Sequence, residues 1–498
     1  MPAEVDWPNP LDDIVVLSWP GAGRRQFTLR PRRAGRWRLV VWPTYFTTFA
    51  EPFVREVVFR SEDDLAQTVE WEVPRLLKTE PDWSWSLRRV TEDRAGMRPD
   101  LTALTLAEEV DLPLHPDATA PDQIFEPGRI LGRFRLFEAA PAPHSVLMWS
   151  CHQPYKGDEG QPPEVVEGTQ RILDWYAERV EAIAPDLVYG LGDTAYSDGV
   201  AATNFVDHYY SQAHRLDSPE EVTALRREYQ RMYRYHWSFD GFRDVQRAVP
   251  QICIWDDHEL RDGSGSEAED FEGNNPVIRA VATEVADAYI LDQGPRVRPR
   301  TRHASPDAHK AYRYGSIATF IFDGRSARDY HETDGKVISD TQMRDFEAFC
   351  ARVGQDSSIK YLLMGTAVPF INLKDFVEEL GSKAPRLVTD PLLGIRDDVR
   401  DSWHSPGNRA QLEELIGILR RTLRANDDCI PVNLSGDVHI SNAFSFIPPG
   451  FTRACYQITS SALTNRSHVP ASVGQLLETG TWDASPVLGV ISRIWTNE

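Results

Sequence analysis

The chain has 498 residues, 41% of them hydrophobic, and a formal net charge of −21. That length exceeds one ordinary domain and predicts two or three. The apolar share supports sizeable cores and excludes a disordered, low-complexity chain. The acidic excess argues against nucleic acid or an anionic membrane as a partner.

The N-terminus, Met1-Pro2-Ala3-Glu4-Val5-Asp6, has neither the basic nor the apolar region of a secretion signal. Arg24-Arg25 runs into Gln26-Phe27-Thr28-Leu29-Arg30, not into the apolar stretch of a twin-arginine signal. No apolar run reaches the roughly 18 residues of a membrane span. The expectation is a cytoplasmic protein, or a secreted one if a leader has been removed. Cys151, Cys253, Cys350, Cys429 and Cys455 are scattered, odd in number and never spaced as CxxC. That excludes a disulfide framework and a structural zinc site.

Residues 1–142 read as a β-rich, sandwich-like domain and linker, and 143–498 as a domain of different architecture. Phe27–Arg30 and Arg36–Pro43 mix alternation with β-branched and aromatic residues between Pro and Gly. The arginines here (Arg24, Arg25, Arg30, Arg32, Arg33, Arg36 and Arg38) could form an anion site, but the period-2 spacing of several predicts a solvated strand face. Pro113–Pro127 reads as linker. From His144 onward the pattern alternates. Strands are expected at Ser145–Trp149, Asp186–Leu191, Ile252–Trp255, Ala318–Phe322, Tyr361–Met364 and Ile430–Leu434. Helices are expected at Gln170–Ala184, Thr341–Ala351 and Asn408–Ala425. Continuous apolar strands alternating with helices predict an α/β sheet covered on both faces. Asn204–His214 and Ser264–Asn275 read as loops.

The chemistry sits after the strands. The polar clusters there are Ser150-Cys151-His152, Gly192-Asp193-Thr194-Ala195-Tyr196, Asp256-Asp257-His258-Glu259, Asp323-Gly324-Arg325-Ser326-Ala327-Arg328 and Ser435-Gly436-Asp437-Val438-His439. Ligands bind at the carboxyl ends of strands in open α/β sheets. Each cluster alone reads as a turn, a cap or a solvated pair. Asp256, Asp257 and His258 directly after an apolar strand cannot all avoid burial, and buried carboxylates need cations. Thiolate, phenolate and imidazole suit iron or zinc; a carboxylate-rich neighbour suits calcium, magnesium or manganese.

The series Ser150-Cys151, Gly192-Asp193-x-x-Tyr196, Trp255-Asp256-Asp257-His258-Glu259 and Ser435-Gly436-Asp437-x-His439 resembles the PhoD-like branch of the metallophosphoesterases. Asp323-x-Arg325-x-x-Arg328 and Asp401-x-Trp403 with Arg409 share that likeness. The resemblance spans about His144 to the C-terminus. It implies an α/β fold: a layered metallophosphoesterase-type β-sheet core flanked by helices, behind an N-terminal β-sandwich-like domain. It further implies that Asp193 bridges two metals and that Cys151, Tyr196 and His439 complete an iron(III) site. Asp257 and Asp437 would hold a second metal, calcium first, with zinc, manganese or magnesium as alternatives. The direct ligand is Asp256 or Asp257, and His258 faces the substrate. Gly365-Thr366 stands where a ligating Asn or His is expected, and Asp437-x-His439 where the wider superfamily has His-His.

The implied reaction is hydrolysis of a small-molecule or polymeric phosphate ester by hydroxide held on a metal pair, which clamps the phosphoryl oxygens. His258 would stabilise the transition state or protonate the departing alkoxide. Arg325 and Arg328 would hold non-bridging oxygens, or form ion pairs with acids such as Asp323 and Asp329. A non-catalytic metal-binding descendant is the alternative. An iron oxidase of the helical-bundle kind is a poorer match, because its ligands lie on helices.

Overall fold

The computed structural model describes residues 5–9, 11–44, 52–61, 64–74, 82–90, 129–137, 144–210, 216–265, 268–298, 307–329, 335–371, 403, 407–436, 441–464, 481–485, 487 and 489–496. The linker Pro113–Pro127, and with it Asp401, Asp437 and His439, lies outside the described residues.

The N-terminal strands are β1 (Ile14–Ser18), β2 (Arg24–Arg30), β3 (Gly35–Pro43), β4 (Phe53–Phe59), β5 (Gln67–Glu72), β6 (Asp82–Arg89) and β7 (Arg129–Arg135). β4-β3-β6-β7 make one sheet, and β5-β2-β1 begin another. Val15, Leu17, Phe27 and Leu29 of the second pack on Trp37, Leu39, Trp85, Leu87 and Phe134 of the first, which gives the sandwich. The solvated arginine face holds for Arg24, Arg32, Arg33 and Arg36 but not for Arg25 and Arg30, which are fully buried. β2 is an inner strand covered on both faces. Arg25 therefore donates to the carbonyls of Arg24 and Arg135 and lies over Phe137, while Arg30 lies over Phe59.

Next come β8 (Val146–Trp149), the two-residue strands β9 (Tyr155–Lys156) and β10 (Glu164–Val165), α1 (Thr169–Ile183), β11 (Leu187–Leu191), α2 (Pro219–His236), α3 (Phe242–Ala248), β12 (Gln251–Ile254) and α4 (Asn275–Ala286). β12, β11 and β8 are parallel and extend the N-terminal sheet into the order β5-β2-β1-β12-β11-β8, with Ser18 opposite Gln251. β1 is consequently buried on both faces: Val15 and Leu17 enter the sandwich core, while Ile14 and Val16 enter the main one. α2, not foreseen from the sequence, starts at a Ser218–Glu221 capping box with Pro219 in its first turn.

The remaining strands are β13 (Lys310–Tyr314), β14 (Ile317–Ile321), β15 (Tyr361–Thr366), β16 (Ile430–Ser435), β17 (Asn442–Ile447), β18 (Cys455–Thr459), β19 (Thr481–Ser485) and β20 (Gly489–Thr496). They form a second sheet, in the order β13-β14-β15-β16-β18-β17-β20-β19, whose strands β14, β15, β16 and β18 are parallel. The alternating strands thus belong to two sheets. The main core joins the first sheet and α1–α4 to Tyr312, Ile321 and Leu434 of the second. A further core joins the second sheet to α5 (Asp340–Gln355) and α6 (Arg409–Ala425). At the carboxyl ends the sheets touch. Ser150 bridges to Ala462, and a Cβ on Gly436 would lie 2.2 Å from the Leu191 carbonyl. The described polar clusters lie around these ends.

Candidate metal centre

Asp193 is the hub. It follows β11 through Gly192, whose φ of 93° and close approach to Asp256 (2.7 Å from a would-be Cβ to the Asp256 Cβ) leave no room for another residue. Asp193 itself has φ 51° and Cys151 φ 54°, left-handed conformations that cost about 1–3 kcal/mol each and persist where packing enforces them. The Asp193 carboxylate is buried. Its Oδ2 receives the Tyr196 hydroxyl at 3.1 Å and the Cys151 thiol at 3.5 Å. Among the described residues its Oδ1 meets no donor. Burial pushes its pKa up to about 8, with Asp257 and Glu259 adding to the rise and His258 opposing it. A buried carboxylate with an idle oxygen, flanked by a thiol and a phenol, has the chemistry of a cation site.

Asp193, Asp257 and His258 each present a ligand atom, all within 4.8 Å of one another. Burial raises the Asp257 pKa, but Arg325, His258 and the Gly263 amide more than offset it and hold the carboxyl well below its usual range. Asp256 faces elsewhere, with Oδ1 accepting from Arg325 Nε at 2.5 Å. Arg325 is fully buried and also donates to the Ser264 carbonyl. It pairs with Asp256 and, at 3.7 Å, with Asp257. Arg328 is buried, with its side chain against Gly265. Thr366 is buried and receives the Asn433 amide at 2.9 Å.

His258 reaches solvent: its side chain is 23% exposed, against 7% for Asp257. Its ring lies against Tyr196, with centroids 4.4 Å apart. Its Nδ1 bonds Asp198 Oδ1 at 2.8 Å. Burial pulls the imidazole down, but Asp198, Asp193 and Asp257 lift its pKa well above 6.5. Asp198 went unremarked in the sequence because Ser197-Asp198-Gly199 reads as a plain turn. Two neutral histidines brace the site from behind. His152 bonds the His236 carbonyl at 2.7 Å and the Thr464 hydroxyl at 3.1 Å. His236 Nδ1 donates to the Met232 carbonyl, so its Nε2 can accept from Tyr196 N at 3.4 Å. Burial lowers their pKa values to about 4 and about 3.

Residues 150–473 match the sequence model of the family described as PhoD-like phosphatase. The chain belongs to the PhoD-like phosphatase family. Membership makes it a hydrolase of phosphate esters in general terms. The solved structure of PhoD overlays with a TM-score of 0.55 at 15% identity, over 92% of this chain and 79% of that one, a likeness of fold. A dimetal phosphatase from Danio rerio overlays with a TM-score of 0.36 at 10% identity, over 64% of this chain and 88% of that one. A comparison with curated proteins finds no match. Among the described residues no helix is long and apolar enough to cross a membrane.

Proposed function

We propose that the Asp193 centre is a metal site and that the chain uses it to hydrolyse phosphate esters, small or polymeric. The observation that carries this reading is the buried Asp193 carboxylate, whose Oδ1 meets no donor among the described residues and whose Oδ2 receives Cys151 and Tyr196. In this reading Cys151, Asp193, Tyr196 and His439 would hold iron(III), and Asp193, Asp257 and Asp437 would hold a second ion such as calcium, zinc, manganese or magnesium. Such ions, when bound, neutralise phosphoryl oxygens and bring the pKa of water towards neutrality.

The chain's own residues supply the remainder. His258, held protonated by Asp198, stands on the solvent side of the centre. As water adds to phosphorus and the P–O bond to the alcohol breaks, His258 gives its proton to the departing oxygen. Arg325 serves the site from behind, holding Asp256 and keeping Asp257 ionised. Mono- and diesters should be assayed on protein purified with its metals retained, alongside His258→Ala. The expected outcome is turnover by the wild type and a loss of about 10²–10⁴ in the variant, with metal content unchanged. A wild type that hydrolyses no ester refutes the reading, and loss of metal from His258→Ala makes His258 a ligand instead of an acid.

A further inference from the structure

Two turns carry the proposed site residues: the one after β11, with Asp193 and Tyr196, and the one after β12, with Asp256, Asp257 and His258. They come from neighbouring strands and are stitched together. Ser197 N and Oγ both donate to the His258 carbonyl, at 2.9 and 3.0 Å, and Ser197 Oγ also donates to the Leu260 carbonyl. These contacts lie at the outer ends of the turns. The inner stitch is Glu259. Its Oε1 accepts from Thr194 N and Thr194 Oγ1, both at 2.7 Å, and its Oε2 accepts from Asp256 N at 2.8 Å. Thr194 directly follows Asp193, and Asp256 directly precedes Asp257, so one carboxylate spans the bases of both turns. Trp237 Nε1 fixes the Thr194 carbonyl at 3.0 Å from the other side.

Glu259 is 1% exposed. All three of these partners donate, so the network uses Glu259 as an acceptor at each contact. Its two oxygens are taken up by Thr194 and Asp256, and it is absent from the group of side chains that converge within 4.8 Å. A glutamate buried for packing alone would be an expensive choice, because a buried carboxylate is tolerated only where several donors meet it.

We infer that Glu259 is a positioning residue: it sets the separation between Asp193 and Asp257, and with it the fit of the centre for its cations, without touching an ion or the substrate. This rests on the metal reading of the centre given above. Partners of this kind, one bond removed from a ligand, typically govern metal affinity by about 10–100-fold.

The test uses Glu259→Gln, which keeps the shape but replaces one acceptor by a donor facing a backbone N–H, and the milder Thr194→Val, which removes only the hydroxyl arm. Metal bound per folded molecule is measured by elemental analysis, and affinity by titration of zinc and of iron into chelator-treated protein, with urea unfolding in parallel. Glu259→Gln is expected to weaken metal binding about 10–100-fold, and Thr194→Val less, with the combined variant no weaker than Glu259→Gln because both act through one bond network. Metal affinity per folded molecule at the wild-type level in both single variants, with only unfolding affected, overturns the inference and makes Glu259 structural. A Glu259→Gln chain that does not fold leaves Thr194→Val to decide, and wild-type affinity there also overturns it. A wild type that binds no metal overturns this inference together with the proposed function. A metal-replete wild type matched by its variants overturns this one alone.

Discussion

Replacing Asp198 by Asn isolates the proton that His258 carries. The bond at stake is a single hydrogen bond of 2.8 Å between Asp198 Oδ1 and His258 Nδ1, with the two side chains 6% and 23% exposed. A hydrogen bond to a charged partner contributes about 1.5–3 kcal/mol, which is a factor of about 10–150 in a protonation equilibrium. Asp198 is the largest influence lifting His258 above 6.5, and without its charge burial draws the imidazole back down. An acid with a lowered pKa loses its proton at lower pH, so the alkaline limb of kcat should move to lower pH in Asp198→Asn. On that limb, alkyl esters should lose roughly the same 10–150-fold, since an alkoxide needs the proton to depart. Esters of 4-nitrophenol leave as a stable anion and should lose less than about threefold. The assay is kcat against pH for one alkyl and one nitrophenyl ester, with metal content measured on the same samples. Equal losses for both esters, or an alkaline limb that stays in place, would show that His258 is not the acid.

Asp193→Asn should abolish hydrolysis and lower metal content, whereas a turn or cap role would cost about 1 kcal/mol of stability and leave catalysis intact; elemental analysis with a turnover assay separates the two. Iron-loaded, oxidised protein should be coloured through its thiolate and phenolate donors, with Tyr196→Phe shifting the band and Cys151→Ser weakening iron retention; a visible spectrum unmoved by both would exclude the mixed iron site. Lys310 is fully buried, bonded to the Cys253 and Ile290 carbonyls, and burial lowers its pKa from 10.5 to about 7, with Arg296 adding to the fall and Cys253, Asp323 and Asp292 opposing it. Because the unfolded chain binds the extra proton between those two values, stability should rise with pH across that window. Below it, holding the ammonium costs a constant ~5 kcal/mol. Lys310→Met should therefore be more stable than the wild type by about 2–4 kcal/mol near pH 6, after the lost hydrogen bonds are subtracted, with the advantage fading by about pH 10. Urea unfolding at three pH values checks this, and a pH-independent difference counts against it.

The parts of the fold legible in sequence are those where one physical rule dominates. Buried parallel strands such as Leu187–Leu191 and residues 252–254 are apolar throughout, and the polar turns behind them have few roles besides binding. Helix α2 escaped notice because its buried side includes Glu228, Gln230, Arg234 and His236, so its polar residues do not mark the solvent side. Arg25 and Arg30 misled for the same reason: period-2 spacing puts Arg24 and Arg30 on one face of β2 and Arg25 on the other, but does not show that both faces are covered. The division into two sheets is invisible to any local pattern, because it depends on which strands become neighbours. Within the site, Asp193, Asp257 and His258 were legible as ligand-type residues after strands. Asp198 and the contacts of Glu259 were not, since their importance comes only from the turn lying opposite.

The position of β1 has a consequence for how the protein is made. The strand leaves the ribosome early, but its partner β12 is encoded over two hundred residues further along. Until then the nascent sandwich presents an apolar strand with an open row of backbone donors and acceptors, the kind of edge that recruits other chains. Cutting away the first 142 residues inverts the problem, because it strips β12 of its neighbour and uncovers the apolar flank on which Ile14, Val16 and Trp19 rest. A shortened version built around the catalytic motifs alone should accumulate as insoluble material, and a soluble preparation needs the sandwich supplied with it.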